Sequence, residues 1–434
     1  MKVKVVTVIG ANGTMGTNVA GIFASFGNCK VNLLSRTISK SEDAKRKAIQ
    51  SVKADSIGNN LKVYDYSMMK ECIQKADLIF ESVAESVEIK REIYEYISKY
   101  VGNKTVICTG TSGLSVNELA QTFSVEQRER FLGVHFFNPP YNLTLCEVIP
   151  NVNTSSRLVN ELSLYLEKQL LRKVVLSKDK PAFLGNRIGF QFINEAMIYA
   201  EKYAASGGIE YIDQILGPFT GRSMSPIFTA DFVGLDVHKA IVDNVYHNTE
   251  DYAHETFKLP SYVNKMISEG KLGKKVKEGL YKTIVLEDGT RKQLIYDLEM
   301  MDYRAKSDDR PEFAKKMVNK LRTGDYHECI EILKRGDTQE AQICVELLTK
   351  YVIYALHIAD EVGDSITAAD DVMATGFNWI PPIAYIEAWG GVDEFIEYVK
   401  SNFSEDISRH TSILDILKRA SKSEYDYKMY FRAK

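Results

Sequence analysis

The chain has 434 residues, 45% of them hydrophobic and 26% charged, with a formal net charge of −3. This length predicts two or three domains, and the near-neutral charge gives no sign of a basic face that would bind nucleic acid, so binding to a phosphate backbone is disfavoured. The six cysteines are scattered without a C-x-x-C pair, which predicts reduced thiols in a cytoplasmic protein and no metal site. No uninterrupted apolar stretch reaches about eighteen residues, so the sequence predicts no membrane span.

Strand and helix patterns alternate through the first 180 residues. The β-branched run VKVVTVI at 3–9 predicts a buried strand, and the segment after it has the three- and four-residue apolar spacing of a helix. This alternation predicts a Rossmann-like, doubly wound, mostly parallel sheet, hence an α/β dinucleotide-binding domain over 1–180. The further predicted elements are strands at KVNLL, LKVYDY, DLIFESV and KTVICTG, and helices at 41–54, 67–76, 87–101 and from Ser115, where Glu118 completes a capping box.

Long amphipathic helices dominate the rest of the chain and include an internal repeat. Segments 197–237 and 352–394 share a helix, an acidic turn and a closing Gly-x-Asp element, with the same spacing from aspartate to glycine. The sequence therefore predicts two all-α helical domains, at 181–285 and 316–434. The charged segment between them, 286–315, is expected to be an irregular connector.

A glycine-rich loop, GANGTMG, joins the first strand to the first helix. Gly10 permits a tight turn, Gly13 allows the backbone to approach a pyrophosphate, and Gly16 allows close packing of helix and strand. The free N–H groups and positive dipole end of the helix favour an anion. The loop therefore predicts a dinucleotide site that includes Gly10, Asn12, Gly13, Thr14, Met15 and Gly16.

The second strand ends in LLSRT, where an NAD enzyme usually has an acidic residue for the ribose hydroxyls. Ser35 is small, and Arg36 offers a planar cation suited to a 2′-phosphate. The cofactor is thus expected to be NADP or NAD, with NADP slightly favoured. The alternative is a solvated Arg36 that stacks on the adenine.

The segment GVHFFNPPYNLTLCEVI places His135 and Glu147 twelve residues apart in an otherwise apolar run. His135 ends a predicted strand at its carboxyl end, where open α/β sheets bind ligands. Glu147 lies in a second extended piece beyond the Asn-Pro-Pro turn. Spacing alone leaves open whether this histidine is catalytic or a hydrogen-bonded core residue.

The sequence resembles the L-3-hydroxyacyl-CoA dehydrogenase family in seven motifs, which follow the family order across 3–282: VIGANGTMG, ADLIFESVAES, TSGLS, GVHFFNPP…LCEVI, FLGNRIGFQFINEA, DFVGLD and GKKVKEGLYK. The resemblance implies an oxidoreductase of fatty acid metabolism that interconverts 3-hydroxyacyl-CoA and its 3-oxoacyl form with NAD(P). It also implies that His135 is the general acid/base, that Glu147 orients it, and that Ser112 and Asn186 complete the site. The residues that it places near the cofactor are Glu85, Lys90 and Lys275.

Two departures from the family pattern leave alternatives open. The segment 37–60 is shorter than the helical hairpin that helps to hold coenzyme A in the family, and Ala182 stands where glycine is usual. A dehydrogenase of a free small hydroxy acid, or a catalytically silent dinucleotide-binding protein with a structural or sensing role, therefore remains an alternative.

The helical repeat carries a prediction about assembly. In the family, the helical domain commonly pairs with the same domain of another subunit. A second copy in the same chain could take the place of that partner, which predicts a monomer with an internal pseudo-dimer of helical domains, or a weak homodimer. The partners expected are an acyl thioester substrate, with no nucleic acid and no membrane.

Overall fold

The computed structural model describes residues 1–307, 309–403, 412–420 and 422–433. They form two compact units, Met1–Phe183 with Val362–Asp364, and Leu184–Glu361 with Ser365–Lys434. The second unit contains both of the predicted helical domains.

Eight strands form the sheet of the first unit. They are β1 (Val5–Ile9), β2 (Lys30–Ser35), β3 (Leu61–Asp65), β4 (Leu78–Glu81), β5 (Val106–Thr109), β6 (Phe131–Phe136), β7 (Leu145–Pro150) and β8 (Lys173–Leu176). Their order is β3-β2-β1-β4-β5-β6-β7-β8, and neighbours are parallel except for the antiparallel pair β6 and β7. The order reverses at β1, as in a doubly wound dinucleotide-binding sheet, so the predicted fold class is confirmed.

Helices cover both faces of this sheet. Leu33 packs in one buried cluster with Val8, whereas the next residue, Leu34, packs in a second cluster with Ile9. Successive side chains of a strand point to opposite faces, so the two clusters are the cores above and below the sheet. The helices of this unit are α1 (Thr14–Ser25), α2 (Ile38–Val52), α3 (Met69–Gln74), α4 (Val87–Tyr100), α5 (Val116–Ala120), α6 (Val125–Arg128) and α7 (Ser156–Lys168).

The second unit is mainly helical. Its helices are α8 (Gly185–Lys202), α9 (Gly208–Ile215), α10 (Pro226–Val233), α11 (Leu235–Asn248), α12 (Ser261–Ser268), α13 (Glu312–Arg322), α14 (Tyr326–Lys334), α15 (Gln339–Val362), α16 (Ala368–Val372), α17 (Pro382–Trp389), α18 (Val392–Asn402) and α19 (Ser412–Arg419). By length and composition α15 could cross a membrane, but 78% of its most apolar window is buried, as in a core helix.

The prediction of an irregular connector at 286–315 was wrong. Strands β9 (Tyr281–Val285), β10 (Arg291–Asp297) and β11 (Asp302–Ala305) form a three-stranded antiparallel sheet. The charged composition hid a hairpin signal, because an Asp-Gly pair, with Gly289 at φ 80°, makes the turn between β9 and β10.

The predicted capping box at Ser115 is only half formed. The Ser115 hydroxyl accepts the N–H of Glu118 at 3.2 Å, but the Glu118 carboxylate accepts from Arg91 of α4. A complete capping box occurs one turn later, between Ser124 and Gln127 at the start of α6. Pairing with an arginine across two helices thus replaces the local bond that the motif predicts.

The two copies of the repeat share one capping arrangement. Asp213 accepts an N–H from the first turn of α10 at 2.9 Å, and Asp370 accepts one from the first turn of α17 at 2.7 Å. Both helices begin at a proline, and in each copy the next helix starts after a glycine of positive φ, Gly234 or Gly391. The equal spacing in the sequence therefore reflects equivalent helix starts.

The last described segment, 422–433, closes the second capping site. The Ser423 hydroxyl donates to the Asp370 carboxylate, and the Ser423 N–H donates to Glu387 Oε1 at 2.8 Å. The Tyr425 hydroxyl donates to Asp371 Oδ1 at 2.7 Å. Burial raises the pKa of Asp370 to about 7, so these donors surround a carboxyl group removed from water.

Candidate active site

His135 and Glu147 are in contact on neighbouring strands. They face each other directly in the antiparallel register of β6 and β7, and the distance from His135 Nδ1 to Glu147 Oε2 is 2.8 Å. His135 is 5% exposed and Glu147 is fully buried. The two residues are twelve positions apart in the sequence, but the antiparallel pairing of β6 and β7 brings their side chains within hydrogen-bonding distance. Nε2 of His135 makes no hydrogen bond to the described residues, so it is the nitrogen open to a substrate.

Two aromatic rings flank this imidazole. The Phe137 ring lies edge-on, with its centroid 4.6 Å from that of His135, and the Phe183 ring lies at 5.8 Å. Ala182 and Phe183 both adopt left-handed backbone conformations, with φ of 60° and 53°. The contact of Phe183 with His135 has no signal in the sequence, because the two residues are 48 positions apart.

The left-handed conformation of Ala182 is one that glycine adopts at no steric cost. Ala182→Gly is expected to keep the free energy of unfolding within about 1 kcal/mol of the parent, because relief of about 1–2 kcal/mol of backbone strain offsets the lost methyl group and the added chain entropy. Ala182→Val is expected to lower it by at least about 2 kcal/mol, since a β-branched residue is poorly tolerated at this φ and the site is buried. Urea unfolding measures both. Equal stability of the two variants would contradict the expectation.

The loop carrying Ser112 follows β5 and is held by Glu85, which follows β4. Glu85 Oε1 accepts the N–H of Ser112 at 2.8 Å and the hydroxyl of Thr111 at 2.5 Å. The structure thus brings together two predicted site residues, Ser112 and Glu85, at the carboxyl edge of the parallel strands. That edge is where open α/β sheets bind ligands.

Lys90 is buried, and its ammonium group is paired with two carboxylates. Its Nζ lies 2.8 Å from Glu81 Oε1 and 3.4 Å from Glu85 Oε2. Glu81 also accepts from the Thr109 hydroxyl at 2.8 Å and from the Tyr94 hydroxyl. Through Glu85, Lys90 is linked to the Ser112 loop.

Sequence reasoning missed Glu81. A signal was available, because Glu81 is an acidic residue at the end of the apolar strand run LIF, and such a residue needs a buried cation or several donors. Hydrogen bonds of Glu81 connect the end of β4 to Lys90 and Tyr94 of α4 and to Thr109 of β5. They hold in place the strand ends from which the loops with Glu85 and Ser112 begin.

The glycine loop fits a pyrophosphate. A Cβ on Gly10, whose φ is 78°, would overlap the carbonyl oxygen of Ser82, and one on Gly16 would lie 2.6 Å from the oxygen of Gly10. A Cβ on Gly13 would meet no protein atom closer than 3.5 Å. Internal packing therefore requires Gly10 and Gly16, whereas the space beside Gly13 is available to a ligand.

The start of α1 offers free donors to such a ligand. Gly13 is the N-cap residue and provides no side-chain cap, and the first turn, at Thr14 and Met15, contains no acidic residue. The N–H groups of a first helical turn have no partner within the helix. Asn12 is exposed on the same loop.

Ser35 and Arg36 differ sharply in their surroundings. Ser35 ends β2 and is fully buried, and its hydroxyl has no hydrogen-bond partner among the described residues. Arg36 is exposed. Of these two residues, Arg36 alone presents its polar group at the surface of this edge.

Asn186 and Lys275 belong to the second unit. Asn186 lies in the first turn of α8 and is 7% exposed, and its neighbour Arg187 pairs with Asp251 at 2.7 Å. Lys275 is partly exposed and pairs with Asp236. The roles of Asn186 and Lys275 remain predictions. In the described part of the chain, no group of three or more histidine, cysteine or acidic side chains is arranged to hold a metal ion.

Comparison with known proteins gives a consistent result. Residues 5–180 match the family model described as 3-hydroxyacyl-CoA dehydrogenase, NAD binding domain, and residues 183–283 match the C-terminal domain of the same family. The mitochondrial hydroxyacyl-coenzyme A dehydrogenase of Homo sapiens is 32% identical over 296 residues, which cover 64% of this chain and 91% of the human protein.

Two further similarities concern the extent of the match. A probable 3-hydroxyacyl-CoA dehydrogenase of Bacillus subtilis is 29% identical over 74% of this chain, which spans only 39% of that protein. The crystal structure of a 3-hydroxybutyryl-CoA dehydrogenase from Escherichia coli superimposes with a TM-score of 0.71 at 21% identity, covering 97% of this chain and 98% of the other. The shared fold therefore extends beyond residue 283, into the second helical copy.

Proposed function

Because the chain belongs to the 3-hydroxyacyl-CoA dehydrogenase family and carries the NAD-binding domain of that family, we propose that it interconverts a 3-hydroxyacyl thioester and its 3-oxoacyl form. The observation that carries this proposal is the 2.8 Å contact between His135 Nδ1 and Glu147 Oε2 at the carboxyl edge of the dinucleotide-binding sheet. That edge also carries the glycine loop and Ser112.

The chemistry requires one proton and one hydride to leave a secondary alcohol. When bound, the nicotinamide accepts the hydride in oxidation and supplies it in reduction. His135 takes the hydroxyl proton on Nε2, and Glu147 accepts from Nδ1–H, fixing the tautomer and stabilising the imidazolium that forms. Ser112, on the loop after β5, holds the substrate oxygen, and the part of Asn186 stays a prediction from the family resemblance. In reduction, His135 returns the proton.

The direct test is consumption of NADPH and, separately, of NADH at 340 nm with acetoacetyl-CoA as substrate. Turnover that depends on acetoacetyl-CoA and on either nucleotide supports the proposal. Binding of a nucleotide without turnover of either one would contradict it and would favour a silent dinucleotide-binding protein.

A second candidate substrate is a 3-hydroxy acid without coenzyme A. The observation in its favour is that β2 and β3 are joined by α2 and one short 3-10 helix, Asp55–Asn59, in place of a long helical hairpin. Comparing kcat/KM for acetoacetyl-CoA and for acetoacetate separates the two. Higher efficiency with the free acid would replace the thioester proposal.

We propose further that the cofactor is NADP in preference to NAD. Arg36 is exposed directly after Ser35, where it can pair with a 2′-phosphate. Arg36→Ala is expected to weaken NADPH binding about tenfold, the typical loss for one charge-assisted contact, and to change NADH binding little. Fluorescence titration with each nucleotide measures this. Equal losses for both would contradict a 2′-phosphate contact.

We also propose that the protein is a cytoplasmic monomer. All six cysteines are buried free thiols, in keeping with a reducing compartment. The second helical copy supplies within one chain the helical partner that a dimer would otherwise provide. Light scattering should give a mass near 49.1 kDa, and an obligate dimer would contradict the proposal.

A further inference from the structure

The second unit contains a surface cavity of about 510 Å³ that lies outside the candidate active-site residues. All of its lining residues are polar, and four of them are cationic. The side chains that matter most come from α9, from α13 and from the segment between β11 and α13: Gln214, Lys306, Arg310, Lys315, Asn319 and Arg322.

The charge of this cavity contrasts with that of the whole chain, which has 58 acidic and 55 basic residues. No carboxylate lines it among the described residues, and Lys315 pairs at its edge with Asp309 at 2.8 Å. Lys306, Arg310 and Arg322 make no ion pair with the described residues, so three of the four cations lie together without a described counter-charge. Like charges repel each other, and this arrangement therefore favours a bound anion.

The backbone next to Lys306 is held by hydrogen bonds to α9. Glu210 of α9 accepts the N–H of Ser307 at 2.5 Å and also pairs with Arg304. The side-chain amide of Gln214 donates to the Ser307 carbonyl oxygen at 3.3 Å. Ser307, the neighbour of Lys306, is therefore anchored to α9. On α13, Lys315, Asn319 and Arg322 share one face because they are four and three positions apart.

A second cavity of about 270 Å³ adjoins the first and shares three lining residues with it, Gln214, Lys306 and Arg310. Its remaining walls include the rings of Phe219, Phe228 and Tyr281. The carboxylates on this side, Glu210 and Asp213, are already hydrogen-bonded to the protein. The basic cavity is therefore continuous with a second cavity that is partly lined by aromatic side chains.

We propose that the basic cavity binds a ligand with at least two phosphate charges. Arginine and lysine side chains supply charge-assisted hydrogen bonds to phosphate oxygens, and the half-buried Phe228 ring of the adjoining cavity can stack on a nucleobase. The ligand can therefore be a nucleotide or an inorganic polyphosphate. This site is independent of the proposed dehydrogenase activity.

The test is calorimetric titration of the full chain with ADP and with inorganic pyrophosphate, in saturating NADH so that the dinucleotide site is occupied. At about 50 mM salt we expect a Kd for ADP below about 100 µM, which weakens at about 300 mM salt as charges are screened. Tighter binding of ADP than of pyrophosphate assigns a nucleotide, and equal binding assigns inorganic polyphosphate.

Variants locate the site. The double substitution Arg310→Gln with Arg322→Gln should weaken binding at least about tenfold, whereas Lys316→Gln, on α13 but outside the cavity, should not. Thermal melting confirms that each variant is folded. Binding that is undetectable at about 1 mM of either probe, or that falls equally in the Lys316 control, would overturn the proposal.

Discussion

Replacing His135 with alanine is expected to lower kcat by about two to four orders of magnitude, the usual contribution of a positioned general acid/base. The ring lies at the carboxyl edge of the sheet with Nδ1 bonded to Glu147, so that Nε2 alone can exchange a proton with the substrate. The affinity for NADH should change little, because the glycine loop is built from other elements. Steady-state kinetics and a nucleotide titration on the same variant measure both quantities.

Glu147→Gln is the companion change, and its loss of kcat should reach at least about tenfold. The amide keeps the size of the buried side chain but loses the charge that stabilises the imidazolium. Circular dichroism should give the same spectrum for the parent and both variants. As a matched control, alanine at the exposed His327 should leave turnover unchanged. Near-normal turnover in His135→Ala would exclude the proposed role.

The second large effect is expected at the glycine loop. Gly13→Ala should fold normally, because the added Cβ meets no protein atom within 3.5 Å and the φ of −70° suits any residue. It should nevertheless weaken NADH binding at least about tenfold, since the methyl group occupies the space left for the pyrophosphate. Gly10→Ala should instead lower the melting temperature, because its Cβ overlaps the Ser82 carbonyl.

Melting curves with and without NADH separate the two outcomes. Gly102→Ala is a suitable control, because Gly102 precedes β5 at the opposite edge of the sheet and its Cβ would contact only the Thr105 hydroxyl, at 3.3 Å. A Gly13→Ala protein that binds NADH as the parent does would show that the cofactor does not approach this backbone.

The parallel part of the fold could be predicted because buried strands between amphipathic helices determine a doubly wound sheet. The His135–Glu147 contact was expected from the family resemblance and not from the spacing, which alone left the role of the histidine open. The three-stranded sheet at 281–305 was missed because its strands are half-exposed and carry many charges, as the segment RKQLIYD illustrates.

Other features depend on contacts that single residues do not reveal. Glu81 binds Lys90 nine positions away and Thr109 on the next strand, so its role emerges only when β4 and β5 are side by side. The left-handed backbone at Ala182 was visible only as a departure from the usual glycine. The cations of the basic cavity come from the segment before α13 and from α13 itself. In the sequence these residues have the charged composition of a solvated linker, which gives no sign that they lie together.

The cap on Asp370 has a consequence for how the chain tolerates cleavage. Its serine donor comes from residue 423, far along the chain, whereas Asp213 in the first copy is closed by Tyr281, at 2.6 Å, from the adjoining sheet. Proteolytic cleavage before residue 423 would therefore leave the first helical copy intact, but it would remove the Ser423 hydrogen bond to Asp370 from the second copy. The second copy would loosen first, and a protease that cuts in this segment would act on the second helical copy while leaving the His135–Glu147 contact in place.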